Sequence, residues 1–294
     1  MKSAFIGKLS VLLATAMFTA IIGGCGKTNA ETPDETDRTV TEQTTEDATA
    51  VKFIGEKLAL TAKRAEYLRS NGNSDMYSFD SIEKLEGNPL EGKTICVLGT
   101  SVAEGYSSNH YAVGEYFEAR FGCELIKETE SGTTLTNLYR NSYVSRMVNN
   151  IDAAEEIDLF ICQLSTNDAS NKLRLGEVSE SKNLNDFNQW TIIGSMECII
   201  GYAKETWNCP VVFFTGSNYD NAAYEDMVNA LSQLQEKWDI GVLNLYHNDE
   251  FNNISDEMRS IYMSDDIHPN MAGYRDWWGP EMEKQLLEFL EKQE

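Results

Sequence analysis

The sequence predicts a three-layer α/β/α fold built on a five-stranded parallel sheet. From about Val51 onward, short apolar runs alternate with amphipathic stretches of helix length. The apolar runs show no strict alternation of polar and apolar residues, which is typical of parallel strands buried on both faces. Strands separated by helices imply right-handed crossovers, and five of them predict the flavodoxin-like strand order 2-1-3-4-5.

The predicted strands are rich in Val, Ile, Leu, Phe and Cys and comprise residues 94–99, 123–127, 157–164, 210–216 and 241–246. The predicted helices that separate and follow them comprise residues 111–121, 134–147, 190–207, 222–238 and 271–291. A further helix is predicted at residues 56–70, before a loop that leads into the first strand. The sequence shows no internal repeat, so residues 51–294 are predicted to form one domain.

The first 25 residues have the composition of a targeting segment. Lys2 and Lys8 precede an apolar run, residues 9–22, that is too short for a permanent transmembrane helix. The run leads into Ile22-Gly23-Gly24-Cys25, which resembles a bacterial lipobox. This resemblance implies a signal peptide of residues 1–24, acylation of Cys25 and a lipid anchor at the extracytoplasmic face of the cell membrane. The alternative is an ordinary secretory signal peptide with an incidental cysteine.

Residues 25–50 are predicted to form a disordered tether. They are rich in Thr, Asp and Glu and contain almost no bulky apolar side chains. Such a segment cannot offset the entropy of ordering by burying apolar surface. It would act as a spacer between the anchor and the domain.

Composition excludes several classes of protein. The chain has 47 Asp and Glu residues against 24 Lys and Arg, a net charge of −23. This balance argues against a nucleic-acid-binding protein, because affinity for phosphate backbones depends on clustered Lys and Arg. A hydrophobic content of 41% is sufficient for a sizeable core.

Cysteine and histidine usage limits any metal site to very few residues. Cys96 and Cys162 lie in apolar runs and are expected in the core, whereas Cys198 and Cys209 could form a disulfide. No C-x-x-C motif occurs, which removes the usual zinc-ribbon spacing. The chain has three histidines: His110, His247 and His268.

Chemically competent residues follow three predicted strands and precede the last helix. Ser101 follows the first strand, Gly132 the second and Asn167 the third, and His268 lies in the loop before the final helix. Ligands of open parallel sheets bind at the carboxyl ends of the strands. We therefore expect these four residues to lie close together.

This arrangement resembles the SGNH hydrolases, also called GDSL-type esterases, and implies their fold for residues 51–294. Their marker Ser, Gly, Asn and His occur in this chain order and correspond here to Ser101, Gly132, Asn167 and His268. Asp265 occupies the acid position, three residues before the histidine. The matches span residues 94–275, and the most specific is Asp-x-x-His-Pro-Asn-x-x-Gly-Tyr.

Two residues depart from the family pattern. Thr100 occupies the middle position of the usual Gly-Asp-Ser, and Ser165 replaces the glycine that commonly begins Gly-x-Asn-Asp. Neither position carries a group that reacts directly. Both could alter loop geometry or substrate fit.

The residues suit nucleophilic catalysis. The Ser101 hydroxyl needs an adjacent base, and the His268 imidazole is the candidate. Asp265 would accept the other imidazole N–H and stabilise the imidazolium. The resemblance implies an oxyanion hole made of the backbone N–H groups of Ser101 and Gly132 and the Asn167 side chain.

Each residue also has a purely structural interpretation. Ser101 could cap a helix, and Gly132 and Asn167 could be turn residues. Asp265, Asp266 and His268 could form a surface turn, and only the family spacing favours Asp265 over Asp266 as the acid. The joint occurrence of all four loops in order favours catalysis. His110 and His247 are expected to be loop or surface residues.

The predicted function is hydrolysis of carboxylic esters through an acyl-Ser101 intermediate, with acetyl groups on carbohydrate as the favoured substrate. The alternatives are a lipid or thioester hydrolase with the same triad, and a non-catalytic glycan-binding surface lipoprotein. The predicted chemistry needs no cofactor or metal. The expected partners are a small-molecule or glycan ester and, through the anchor alone, the membrane. Five aromatic residues could stack on sugar rings or belong to the core: Tyr106, Tyr139, Trp190, Tyr219 and Trp277.

Overall fold

The computed structural model describes residues 36–293. The predicted signal peptide, Cys25 and the first part of the predicted tether lie outside these residues. The chain divides into two compact units, Met1–Ile54 and Gly55–Glu294. All the predicted site residues from Ser101 onward belong to the second unit.

The second unit is built on a five-stranded, all-parallel sheet with the order β2-β1-β3-β4-β5. The predicted fold class and strand order are therefore confirmed. The strands are β1 Thr94–Gly99, β2 Glu124–Thr129, β3 Leu159–Gln163, β4 Val211–Phe214 and β5 Gly241–Leu243. Every residue of β3 and β4 is buried, which explains why these runs are uniformly apolar apart from the terminal Gln163.

Eleven helices occur among the described residues: α1 Thr36–Tyr67, α2 Ser101–Glu104, α3 Val113–Phe121, α4 Tyr143–Asn150, α5 Thr166–Ser170, α6 Ile192–Trp207, α7 Ala222–Trp238, α8 Asp249–Asn252, α9 Asp256–Tyr262, α10 Met271–Gly273 and α11 Gly279–Leu290. A π-helical turn, Tyr274–Trp278, joins the last two. Three 3₁₀ turns lie between α1 and β1: Asn71–Asn73, Asp75–Tyr77 and Phe79–Ser81.

Two apolar layers cover the faces of the sheet. Side chains of α4, α6 and α7 pack on one face, and side chains of α3 and α11 pack on the other. Strand β1 shows the division, because Cys96 and Leu98 face the first layer whereas Ile95 and Val97 face the second. This is the predicted three-layer arrangement.

The structure differs from the sequence-based expectation in two segments. Residues 36–50, predicted as part of a disordered tether, belong to α1. Residues 36–54 contain no glycine or proline, so a helix nucleated further along the chain can extend backwards at low cost. The predicted helix 134–147 begins only at Tyr143, because Ser142 caps it by accepting a hydrogen bond from the Ser145 N–H at 3.1 Å.

The five cysteines after residue 50 are all free and buried: Cys96, Cys123, Cys162, Cys198 and Cys209. Cys96 and Cys162 are core residues, as predicted, and the disulfide left open for Cys198 and Cys209 is not formed. Within residues 36–293, no cluster of His, Cys, Asp and Glu has the composition of a metal site. Over the same range, no helix combines the length and apolarity needed to cross a membrane.

Candidate active site

Ser101 begins helix α2 directly after strand β1. The chain turns sharply from strand to helix at Thr100 (φ −118°, ψ −147°). Gln163, at the end of β3, fixes this turn, because its side-chain oxygen accepts hydrogen bonds from the N–H groups of Thr100 (3.0 Å) and Ala103 (2.8 Å). The neighbouring strand therefore sets the position of the serine.

Ser101, His268 and Asp265 form a continuous hydrogen-bonded chain. His268 Nε2 lies 2.9 Å from Ser101 Oγ, and His268 Nδ1 lies 2.9 and 3.0 Å from the two carboxylate oxygens of Asp265. Asp265 Oδ1 also accepts the N–H groups of Ile267 (2.9 Å) and His268 (2.8 Å). The adjacent Asp266 is exposed, and among the described residues no hydrogen bond or ion pair joins it to the ring.

The electrostatics favour an ionised Asp265. Burial opposes ionisation, but hydrogen bonding and charge from His268, with hydrogen bonds from the Tyr67 hydroxyl and the Ile267 N–H, hold the pKa of the Asp265 carboxyl well below its usual value. A carboxylate facing Nδ1 requires the ring proton there. His268 Nε2 is then free to accept the Ser101 proton.

Two residues of α1 that no sequence motif indicates lie against the Asp265 end of this hydrogen-bonded triad. The hydroxyl of Tyr67, the last residue of α1, donates a hydrogen bond to Asp265 Oδ2 at 2.6 Å. Lys63, one turn earlier in α1, places its ammonium 3.6 Å from the same oxygen. The only sequence signal was helical spacing, which puts Lys63 and Tyr67 on one face of α1 without indicating what that face meets.

A cleft of about 240 Å³ opens above the serine. Its walls come from α1, the segment after β1, the loop after β2 and the loop before α10. The lining residues are Leu60, Lys63, Tyr67, Ser101, Tyr106, Ser131, Gly132, Asp265 and His268. A larger depression of about 730 Å³, bordered by Leu175–Lys182 and α7, contains none of the predicted site residues.

Two backbone donors face this region without a protein acceptor. Among the described residues, the N–H groups of Ser101 and Gly132 donate to no other group. Gly132 has a positive φ of 82°, a conformation that suits glycine. The preceding Ser131 is held by Glu104, whose carboxylate accepts the Ser131 N–H at 2.7 Å. Both backbone groups are therefore available to an oxyanion.

The Asn167 side chain is engaged differently from the expectation that it is a third oxyanion donor. Its Nδ2 donates to Thr100 Oγ1 at 3.1 Å and to the Thr133 carbonyl at 2.8 Å. Both amide hydrogens thus have acceptors within the protein. The Thr100 hydroxyl, where the family usually has an aspartate, provides one of them. An oxyanion contact from Asn167 requires one of these bonds to be shared or released.

Two buried charged residues support these loops and were also missed from sequence. Asp168 accepts the N–H groups of Leu135 (2.8 Å) and Thr136 (3.1 Å), and burial raises the pKa of its carboxyl. Arg146 donates to the Gly99 carbonyl at 2.7 Å. Arg146 also donates to Thr133 Oγ1 at 3.1 Å, so both residues hold the segment between β2 and α4, which carries Gly132.

The other predicted residues lie away from the triad. His110 has one ring nitrogen 2.8 Å from an Arg64 nitrogen and does not line the cleft, and His247 is exposed. Of the five aromatic residues considered for sugar stacking, Tyr106 lines the cleft. Tyr139 and Trp190 are exposed elsewhere, Tyr219 packs against the core, and Trp277 is buried.

No protein-family model matches the sequence, and no curated relative matches it. Among solved structures, the chain is similar to a protein from Lactobacillus plantarum (19% identity, TM-score 0.54), over 69% of this chain and 98% of that one. It is also similar to a member of the lipolytic protein G-D-S-L family from Veillonella parvula (16% identity, TM-score 0.44), over 67% and 96% of the two chains. A third similar structure is an acetylxylan esterase from Geobacillus stearothermophilus (11% identity, TM-score 0.47), over 67% and 94%.

The fold and the placement of the marker residues agree. The sheet has the order 2-1-3-4-5, with Ser101 after β1, Gly132 after β2 and Asn167 after β3. His268 reaches Ser101 from the loop before α10. The chain therefore has a five-stranded, parallel α/β/α fold in which Ser101, Gly132, Asn167 and His268 lie where the sequence resemblance places the four marker residues.

Proposed function

We propose that this protein is a serine ester hydrolase. The observation that carries the proposal is the 2.9 Å contact between Ser101 Oγ and His268 Nε2, with Asp265 on the opposite side of the ring. Nucleophile, base and orienting acid in hydrogen-bond reach of one another are the signature of activated-serine catalysis.

The geometry supports a two-step reaction. His268 takes the proton of Ser101 as Oγ attacks the ester carbonyl, and it then gives this proton to the departing alcohol. In the second step His268 takes a proton from water as the water attacks the acyl-serine carbonyl, and it returns that proton to Ser101 Oγ as the acid is released. The developing oxyanion would be met by the N–H groups of Ser101 and Gly132, each worth about 10²–10³ in rate.

The substrate we favour is a short acyl ester, with acetyl on carbohydrate as the first choice. The cleft of about 240 Å³ is smaller than most sites for drug-sized ligands. Tyr106 on its wall offers an aromatic face to a sugar ring. The chain's net charge of −23 disfavours anionic lipid surfaces and acidic polymers.

We also propose that the enzyme is a lipoprotein acting outside the cytoplasm. The support is the sequence alone: the charged and apolar start of the chain and the lipobox-like Ile22-Gly23-Gly24-Cys25. Globomycin treatment and mass spectrometry of the mature N-terminus test this directly. An unacylated mature chain that does not begin at Cys25 would contradict it.

One observation favours the lipid or thioester alternative. Leu60 lines the cleft while 60% exposed, so it gives the rim an apolar surface that a longer acyl chain could cover. The two substrates are separated by hydrolysis of nitrophenyl esters from acetyl to octanoyl, followed by acetate release from acetylated polysaccharides. Ser101→Ala is the control.

We expect kcat/KM to fall as the acyl chain lengthens and Ser101→Ala to show no enzymatic hydrolysis. A rise in kcat/KM with chain length would favour the lipid hydrolase. Hydrolysis by the wild-type chain no faster than by Ser101→Ala on every ester would contradict the proposed function and favour a binding protein.

A further inference from the structure

We propose that Tyr67 is a positioning residue of this site: its hydroxyl holds one oxygen of the Asp265 carboxylate and thereby moderates how strongly that carboxylate stabilises a protonated His268. The role rests on the proposed function of the triad. Tyr67 does not reach Ser101 through any direct hydrogen bond, so it acts on the chemistry only through Asp265 and His268.

The two oxygens of the Asp265 carboxylate have unequal partners. Oδ1 accepts the N–H groups of Ile267 and His268 and lies 2.9 Å from His268 Nδ1. Oδ2 lies 3.0 Å from Nδ1 and 2.6 Å from the Tyr67 hydroxyl. The torsion that rotates a carboxylate is intrinsically soft. Tyr67 is therefore the neutral donor that secures the outer oxygen.

The position of Tyr67 is itself well determined. Its side chain is 7% exposed. Asn73 Nδ2 donates to the Tyr67 carbonyl at 2.9 Å and to the Ser107 carbonyl at 2.7 Å, while Asn73 Oδ1 accepts the Met271 N–H at 2.9 Å. One asparagine thus ties the end of α1 to the segments on both sides of the cleft.

The hydroxyl keeps its proton over the working range of an esterase. Burial, together with the hydrogen bond to Asp265 and the negative charge of that carboxylate, raises the pKa of Tyr67 well above its usual value. Tyr67 therefore remains a hydrogen-bond donor to the carboxylate at neutral and mildly alkaline pH. A short O–H···O⁻ bond of this kind is among the stronger hydrogen bonds in proteins.

Loss of this donor changes the interaction between Asp265 and His268 in a predictable direction. The hydroxyl withdraws negative charge density from Asp265, so its removal leaves a carboxylate that stabilises the His268 imidazolium more strongly. The titration midpoint of His268 then moves to higher pH. The acid limb of kcat/KM moves in the same direction, because a higher pH is needed to free the imidazole.

The other groups that face the pair are few. Lys63 of α1 lies 3.6 Å from Asp265 Oδ2 with a side chain 57% exposed, so its charge is largely screened. The Tyr106 ring lies 5.8 Å from the His268 ring, and Arg64 covers the Tyr106 ring at 5.0 Å. Asp266 is exposed beside the loop. None of them donates a hydrogen bond to Oδ2, but Lys63 is close enough to take the place of the hydroxyl when it is removed.

The test is Tyr67→Phe in the full chain, with Tyr116→Phe as a matched control. Tyr116 is also buried, and its hydroxyl donates to the Glu283 carboxylate at 2.8 Å, away from the cleft. Each variant loses a buried tyrosine hydroxyl that donates a hydrogen bond to a carboxylate. The His268 imidazole signals are titrated by NMR, with assignments from His110→Gln and His247→Gln.

We expect the His268 midpoint to rise by about 0.3–1 pH unit in Tyr67→Phe and to stay unchanged in Tyr116→Phe. We also expect kcat to fall about 3–10-fold in Tyr67→Phe, with the acid limb of kcat/KM moving upward. Because the Lys63 ammonium could take the place of the missing hydroxyl, the protein with Tyr67 and the Tyr67→Phe variant are also compared in a Lys63→Met background.

An unchanged or lowered midpoint in Tyr67→Phe, in both backgrounds, would overturn the inference. An equal rise in Tyr116→Phe would also overturn it, because the effect would then be a general loss of stability. The NMR readout does not depend on hydrolysis. If the midpoint rises while the wild-type chain hydrolyses no ester, the positioning by Tyr67 stands and the proposed function fails.

Discussion

The side-chain nitrogen of Asn167 lies 3.1 Å from the hydroxyl oxygen of Thr100, the residue that departs from the family's Gly-Asp-Ser. The same hydroxyl accepts the Thr133 N–H at 3.2 Å and donates to the Glu130 carbonyl at 3.0 Å. One fully buried threonine therefore joins the end of β1 to the loops after β2 and β3. The threonine that departs from the pattern therefore adds hydrogen bonds between the loops that carry the candidate oxyanion donors.

Thr100→Val tests the contribution of these hydrogen bonds. The change keeps the side-chain shape but leaves the Thr133 N–H and one Asn167 hydrogen without an acceptor, which costs about 1–3 kcal/mol of unfolding free energy. Combined with Asn167→Ala in a double-mutant cycle, we expect a coupling of about 0.5–3 kcal/mol. Urea unfolding measures all four proteins. Additive effects of the two substitutions would show that the contact contributes nothing.

The choice of acid is tested by substituting the two adjacent aspartates separately. Asp265→Asn removes the carboxylate that selects the His268 tautomer, and we expect kcat to fall by about 10⁴-fold, as in triads generally. Asp266→Asn changes an exposed residue that makes no hydrogen bond or ion pair with the ring, and we expect kcat within about twofold of the wild type. Initial rates on an acetyl ester decide between them. A larger loss for Asp266→Asn would reverse the assignment.

The lowered pKa of Asp265 predicts a pH-dependent contribution to stability. Because the folded-state pKa lies below the unfolded value of about 3.9, the contribution is fully present above that pH and is lost as pH falls through the folded pKa. The wild-type chain should exceed Asp265→Asn in unfolding free energy at pH 6, and the gap should narrow below about pH 4. Urea unfolding at pH 6, 4 and 3 measures the gap. A gap independent of pH would contradict the ionised, paired carboxylate.

Asp168→Asn tests the buried support of the β2–α4 segment. Each carboxylate oxygen of Asp168 accepts one backbone N–H, whereas an asparagine amide would turn its NH₂ toward one of these donors. We expect Asp168→Asn to lose about 1–3 kcal/mol of unfolding free energy, measured by urea unfolding. The matched control is Asp152→Asn, because the side chain of exposed Asp152 accepts a single N–H, that of Ala154 at 2.9 Å. Equal stability of the two variants would refute the proposed support.

The architecture could be predicted because strands buried on both faces of a sheet are recognisable in sequence as short, uniformly apolar runs. Strand β1 and helix α7 have the predicted bounds, and α7 is closed by an Asn221 cap at one end and a left-handed Asp239 at the other. The predicted helix 134–147 began too early, because residues 134–142 are rich in Thr, Asn and Ser and continue the loop that contains Gly132. Composition alone also placed a tether where α1 is helical.

The triad could be predicted from its motif, whereas its surroundings could not. Ser101 and His268 are 167 residues apart, yet each lies in a recognisable loop pattern. Tyr67 and Asp265 are 198 residues apart, and nothing in the composition of α1 indicates that its last residue meets a carboxylate. The engagement of Asn167 depends on the position of a backbone carbonyl at Thr133, which is a property of the folded loops.

Reaction with a serine-directed fluorophosphonate tests the central claim most directly. Intact-mass analysis and peptide mapping of the folded full chain should find one adduct per molecule, on Ser101. The adduct should be absent in Ser101→Ala and should form at least about 100-fold more slowly in His268→Gln, because the base that activates the serine is gone. A folded wild-type chain that forms no adduct, or forms it on another serine, would contradict the assignment of Ser101 as the nucleophile.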